Sequence, residues 1–168
     1  MKRVVANRGL ALLIVTLVAA DWLTKLWITN ALALDETHAL VDGWLYFVRR
    51  ENTGIAFSMF ADLPATWRVP LLSLVGFVGI LLFSRIIRST TDRSARLAGA
   101  AVIGGAIGNL GDRLLTGGVT DFLFLAFLPY VFNFADTVIT LGGSVLAVRL
   151  AVLDESAAPA IEASPGTV

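Results

Sequence analysis

The chain has 168 residues, 57% of them hydrophobic and 15% charged, with a mean hydropathy of +0.79. A water-facing domain carries roughly 25% charged residues, so this composition is that of an integral membrane protein. Thirteen basic and 13 acidic side chains balance, which argues against the basic face of a nucleic-acid binder; with no cysteine and one histidine, His38, a thiol nucleophile, a cysteine zinc site and an H-E-x-x-H metalloprotease are all excluded.

A helix crossing a ~30 Å hydrocarbon core needs roughly 20 mostly apolar residues. Lys2, Arg3 and Arg8 followed by the apolar run Leu10–Ala20 resemble a signal peptide, but Asp-Trp-Leu-Thr-Lys follows instead of a small-residue cleavage site. The expectation is a retained first helix over about 10–34, with cleavage the lesser alternative. Residues 35–66 are too polar to span. Gly43–Val48 has the aromatic and β-branched character of a strand, and Asn52-Thr53-Gly54 is a turn signal before a second short run, Ile55–Phe60. A small β-hairpin or sheet on the outer surface is expected there, with Trp44, Tyr46 and Trp67 at the interface.

Further spans are expected over about 67–87, 96–115 and 136–153. Between the last two, residues 116–135 contain an uncharged aromatic stretch broken by Pro129, short enough to suit a re-entrant or interfacial segment. The glycines at 99, 104, 105 and 108 form a small-residue face that permits close helix packing. Lys2, Arg3 and Arg8, and Arg85, Arg88, Arg93 and Arg96, place the N-terminus and the second loop in the cytoplasm. Four spans then return the C-terminus to that side, and the Ala/Pro/Ser-rich end 156–168 is expected to be disordered. The fold class expected is an all-α integral membrane protein: one domain over 1–155, four transmembrane helices, and a small extracytoplasmic β element between helices 1 and 2.

Ionisable residues near spanning helices are costly, and are either paired or functional. Asp21 and Lys25 are four apart and share a helical face, so they form an ion pair or, alternatively, Lys25 is a general base for a serine such as Ser58. Asn109, Asp112 and Arg113 lie on one face at the outer end of the third helix, as a solvated helix end or a polar shell around a reaction centre. Asp121 and Asp136 sit in aromatic surroundings at the outer boundary. Asp136, with Asn133, suits a helix cap and Asp121 a loop carboxylate; brought together, the two would share one proton and activate water, as in aspartic proteases.

Five blocks occur in order: Asp21-Trp-Leu-Thr-Lys25, Asn52-Thr-Gly-Ile-Ala-Phe-Ser58, Gly104-Gly-Ala-Ile-Gly-Asn-Leu-Gly-Asp-Arg113, Gly118-Val-Thr-Asp-Phe122 and Phe132-Asn-Phe-Ala-Asp136. Together they resemble the lipoprotein signal peptidase (signal peptidase II) family from about Leu10 to Leu150. The resemblance implies a bacterial inner-membrane aspartic endopeptidase with its site near the periplasmic face. Such an enzyme removes the signal peptide of prolipoproteins before a diacylglyceryl-modified cysteine, without metal or organic cofactor. It implies catalytic roles for Asp121 and Asp136, and binding or supporting roles for Asn52, Gly54, Asn109, Asp112, Arg113, Asn133, Ala135, Asp21 and Lys25. Ile55, Gly111 and Thr120 depart from the usual pattern; Gly111 is expected to loosen the end of the third helix. The partners implied are lipid-modified precursors and membrane lipid, with the enzyme a monomer. A small proton-coupled transporter using the same carboxylates is the rival reading.

Overall fold

The computed structural model describes residues 2–54 and 59–157, with side chains described for 7–54 and 59–152. Among the described residues there are four helices: α1 (Lys2–Ala31), α2 (Ala65–Ser89), α3 (Arg93–Thr116) and α4 (Phe134–Ala157). Helices α2, α3 and α4 run a few residues beyond both ends of their expected ranges, whereas α1 begins well before residue 10 and stops short of residue 34. Residues 156 and 157 of the expected tail are helical, and the remainder of that tail lies outside the described residues.

By length and composition, α1, α2 and α4 are apolar enough to cross a membrane, and α3 is not. The reason is position. Helix α3 packs against all three of the others, so its sides need small residues for close approach rather than large ones for lipid. Ala95, Ala98, Gly99, Ala100, Gly104 and Gly108 are among its buried positions. A Cβ added at Gly105 would lie 2.7 Å from the Ala135 carbonyl of α4. One added at Gly108 would strike the Asp21 carboxylate of α1. The small-residue face therefore serves packing, as the simpler reading of those glycines has it.

The polar connections build one antiparallel sheet: β1 (Thr37–Val41), β2 (Leu45–Asn52), β3 (Val119–Leu125) and β4 (Val131–Phe132), in spatial order β1-β2-β3-β4. This corrects two expectations. The partner of the Gly43–Val48 strand is the segment before it, turned at Asp42-Gly43 with Trp44 N–H donating to the Val41 carbonyl (3.0 Å). Of the expected partner run, Ile55–Ser58 lie outside the described residues, and Met59 and Phe60 are in a turn. Residues 116–135, expected as an outer loop of re-entrant or interfacial character, are not a plain loop but supply β3 and β4. Val-Thr-Asp-Phe-Leu-Phe-Leu is rich in strand-forming residues, and it pairs with β2 rather than spanning anything. The β element is thus built from two connections, not only from the one between α1 and α2.

One face of the sheet lies on the end of α1: Phe47 and Phe122 pack with Ile28 and Leu32, and Trp27 meets Phe47 edge-on at 5.2 Å. Arg49 of β2 donates to the Thr29 and Leu32 carbonyls (3.1 and 3.0 Å), capping α1, which has no basic residue of its own in its last turn. At the opposite end Asp92 caps α3 through the Ala95 N–H (2.7 Å) and pairs with Arg149 of α4 (2.6 Å). Arg149 and Ala95 hold the Asp92 carboxyl below its ordinary pKa. The Asn7–Arg96 hydrogen bond (2.6 Å) joins α1 and α3 at that same end. The sheet and the helix junctions beside it therefore mark one pole of the bundle, and the arginine-bearing ends of α2 and α3 (Arg85, Arg88, Arg93 and Arg96) mark the other.

Candidate active site

Each carboxylate reaches the cleft through a local structural device. Helix α3 stops at Gly117, whose φ of 82° lies in the left-handed region that glycine favours, and its N–H bonds to the Arg113 carbonyl (3.1 Å). The chain then reverses into β3, which carries Asp121 opposite Arg50, two pairs from Asn52↔Val119. Asp136 sits in the first turn of α4. Its N–H donates to Asn133 Oδ1 (2.9 Å), and its Oδ2 accepts the Asn133 N–H (3.3 Å), a reciprocal capping box. The capping reading of Asp136 and Asn133 is therefore realised, and it is compatible with a further role.

Asp121 and Asp136 line the same cleft of about 680 Å³, with Asn52, Asn109 and Arg113. Four amide donors address the four carboxylate oxygens. Asp121 Oδ1 accepts from Asn133 Nδ2 (2.7 Å) and its Oδ2 from Asn52 Nδ2 (2.9 Å). Asp136 Oδ1 accepts from Asn109 Nδ2 (2.8 Å), and its Oδ2 from the Asn133 backbone. Asn133, fully buried, thus touches both carboxylates. Asp121 is 2% exposed; burial first, and then the negative charge of Asp136, push its pKa up to about 7, against the pull of Asn52, Asn133 and Lys25. Two carboxylates thus line one cleft, and that of Asp121 is held well above the ordinary carboxylate range.

The remaining expected residues are placed around this pair. Asn52 ends β2, and its Oδ1 accepts the Gly54 N–H (2.9 Å). The Gly54 carbonyl accepts from Arg113 Nη2 (3.1 Å). Asp112 and Arg113, adjacent in sequence, diverge: Arg113 turns to Gly54, and Asp112 lies 2.9 Å from Lys25 Nζ. Asp21 and Lys25 pair at 2.7 Å, and Lys25 also donates to Asn109 Oδ1 (3.0 Å). Three acceptors thus surround Lys25 Nζ, and Ser58, named as its partner in the general-base reading, lies outside the described residues. Ala135 is buried, and its N–H donates to Asp21 Oδ1 (3.0 Å). His38 is exposed and pairs with Glu36 (2.9 Å), outside the site.

The departures read differently in three dimensions. Helix α3 continues through Gly111 to Thr116, so that glycine does not loosen its end; it admits the Trp22 indole, whose Cζ2 would lie 2.7 Å from an added Cβ. Thr120 acts through its backbone, donating to Asp112 Oδ2 (3.3 Å). Ile55 lies outside the described residues.

Arg50, Glu51 and Tyr130 also line the cleft, as do Gly76 and Ala106 between the helices. Sequence reasoning did not nominate them. Arg50 was within reach, since it precedes Asn52 by two and shares its side of a strand. Gly76 and Ala106 carry no chemical signal of their own.

A family profile described as signal peptidase (SPase) II matches residues 13–152. A lipoprotein signal peptidase of Solibacter usitatus is 31% identical over 137 residues, covering 79% of this chain and 84% of its own. One of Thermosynechococcus vestitus is 38% identical over 128 residues (74% and 79%), and one of Ectopseudomonas mendocina 34% over 160 (90% and 92%). Among solved structures, a bacterial membrane enzyme determined by the in meso method at 2.3 Å superposes with a TM-score of 0.76 at 20% identity, covering 95% of this chain and 94% of that one. A second, at 1.9 Å, gives 0.74 at 21% identity, covering 84% and 92%. The fold is that of these membrane enzymes, and the chain belongs to the signal peptidase II family.

Proposed function

We propose that this protein is a lipoprotein signal peptidase: an aspartic endopeptidase that removes the signal peptide of prolipoproteins before a diacylglyceryl-modified cysteine. The observation that carries the reading is the meeting of Asp121 and Asp136 in one cleft, each held by amide donors and both touched by Asn133. One carboxylate takes a proton from water, the water attacks the scissile carbonyl, and the protonated carboxyl hydrogen-bonds the developing oxyanion. The proton then passes to the leaving amine. The pair titrates as a unit. Asn52, Gly54, Asn109, Asp112, Arg113, Asn133 and Ala135 hold the pair or the substrate backbone, with Asp21 and Lys25 behind them.

The proposed setting is the bacterial inner membrane, with a monomer crossing four times and both termini cytoplasmic. Here α3 is carried as the fourth span inside a sheath of the other three. The arginine-rich pole then faces the cytoplasm, and the sheet and cleft face the periplasm. There, water enters from outside while the lipid-modified cysteine remains anchored in the bilayer. Residues 1–155 act as one domain. The reaction as written needs no metal or organic cofactor.

A proton-coupled transporter is disfavoured because the carboxylates lie at one pole, beside the sheet, whereas transporter sites usually lie near the midplane. The test is conversion of a lipidated precursor by purified protein in detergent. Asp121→Asn and Asp136→Asn are each expected to lose cleavage by on the order of a thousandfold or more. Full turnover in either variant rejects the dyad, and equal cleavage of an unlipidated precursor rejects the substrate assignment.

A further inference from the structure

Behind the carboxylate pair, and away from the cleft, lies a buried cation that the reaction as written does not use. Lys25 is 4% exposed and Asp21 fully buried. The ammonium offers three N–H donors, and three acceptors surround it: Asp21 Oδ2 at 2.7 Å, Asp112 Oδ2 at 2.9 Å and Asn109 Oδ1 at 3.0 Å.

Each acceptor leads to a catalytic segment by a different route. Asp21 uses its other oxygen to hold the N–H of Ala135, the residue before Asp136. Asp112 holds the N–H of Thr120, the residue before Asp121. Asn109 reaches Asp136 itself through Nδ2. The polarity of that amide is decided by charge. Its oxygen faces two donors, Lys25 Nζ and Asn133 Nδ2 (3.2 Å); turned over, its NH₂ would face both of them and abandon Asp136. A donor set against donors in a buried site costs about 1–3 kcal/mol per unsatisfied group.

We propose that Lys25 is the positioning residue of the pair: one buried ammonium braces the backbone beside Asp121 and beside Asp136 and fixes which end of the Asn109 amide meets Asp136. This rests on the dyad reading above and assigns Lys25 a role in it that is neither a mere anchor for α1 nor a general base. The charged groups that Lys25 meets are Asp21 on its own helix and Asp112 on α3, and its charge also acts on Asp121 of β3. That positive charge opposes the rise in the Asp121 pKa, so a neutral residue 25 moves the titration of Asp121 to higher pH.

The experiment compares Lys25→Met, and Lys25→Met combined with Asp21→Asn, with the parent chain. The single variant leaves Asp21 as a buried unpaired charge and is expected to lose stability; the double variant removes that charge and is expected to restore the fold. Cleavage by the folded double variant should fall on the order of 10–100-fold, as losses of supporting groups do. The pH profile of kcat should shift upward, because the positive charge that holds the Asp121 carboxyl down is gone. Infrared difference spectra against Asp121→Asn follow the protonated carboxyl band directly and need no turnover; that band should persist to higher pH in the double variant. A pH profile and carboxyl titration unmoved from the parent's, whatever the rate, would overturn the proposal. Cleavage by Asp121→Asn in the same assay would overturn the dyad reading instead, so the two failures are distinct.

Discussion

Replacing Asp121 by asparagine separates the cost of burying that carboxylate from its chemical use. Its pKa of about 7 against an ordinary 3.8 means that the folded chain holds this proton more tightly than the unfolded chain does. The sign follows from that. The favourable contribution is complete below pH about 4, is lost as the pH rises toward 7, and leaves a folded state that carries the price of a buried anion above 7. Three units at 1.36 kcal/mol each come to about 4 kcal/mol. Asparagine removes this term but has one oxygen where Asp121 has two, so either Asn52 or Asn133 then faces an NH₂, at a cost of about 1–3 kcal/mol. At pH 8 the variant should be more stable than the parent by about 1–3 kcal/mol. Between pH 5 and pH 8 its relative stability should climb by about 2–3 kcal/mol. For a chain of this size that is a relative shift of about 5–10 °C in Tm. Thermal unfolding in detergent, followed by tryptophan fluorescence at four or five pH values, measures it. A difference between variant and parent that stays constant from pH 5 to pH 8 would refute the reasoning, because it would mean that Asp121 titrates alike in the folded and unfolded chains.

Arg49→Met removes the two hydrogen bonds that close the carbonyl end of α1. It should cost about 2 kcal/mol in thermal unfolding, with cleavage per folded molecule unchanged. Gly108→Ala drives a methyl into the Asp21 carboxylate; overpacking of this kind costs about 1–3 kcal/mol, and cleavage should fall with stability, because Asp21 and Lys25 shift together. Asp92→Asn should behave opposite to Asp121→Asn. The carboxyl is held low by Arg149 and by the Ala95 N–H, so its contribution is present at neutral pH and vanishes as the pH falls through the folded-state pKa. The variant's deficit in unfolding midpoint should be clear at pH 7 and absent in strong acid.

Local patterns reached far into the site. The capping box at the start of α4 is a spacing of three between Asn133 and Asp136, and the Asp21–Lys25 pair is a spacing of four on a helix. Both form as their spacing implies. The sheet was legible only in part. The strand at Gly43–Val48 was visible, but its neighbours were not, because the pairing of Asn52 with Val119 joins segments far apart in the chain and no local rule selects that partner. Asp42-Gly43 is a short hairpin signal, and it is the turn that joins β1 to β2. Hydropathy is similarly local. It detects helices that face lipid, and so it grades α3, the helix the others surround, as the least apolar.

An apolar composition with balanced charge, no cysteine and one histidine placed the protein in a membrane and left the carboxylates, or Lys25, as the candidates for acid–base chemistry. Composition determines this because the solvent a chain can face depends on its side chains regardless of their order. The ordered blocks went further and nominated Asp121 and Asp136. Only the tertiary structure decided what those carboxylates meet: Asn133 touching both, Asn109 turned by Lys25, and Asp112 drawn away from Arg113. Those contacts join α1, α3, β3 and α4. They exist because the glycine face of α3 lets the helices approach closely enough for short polar side chains to reach across, which is a property of the packed bundle rather than of any one segment.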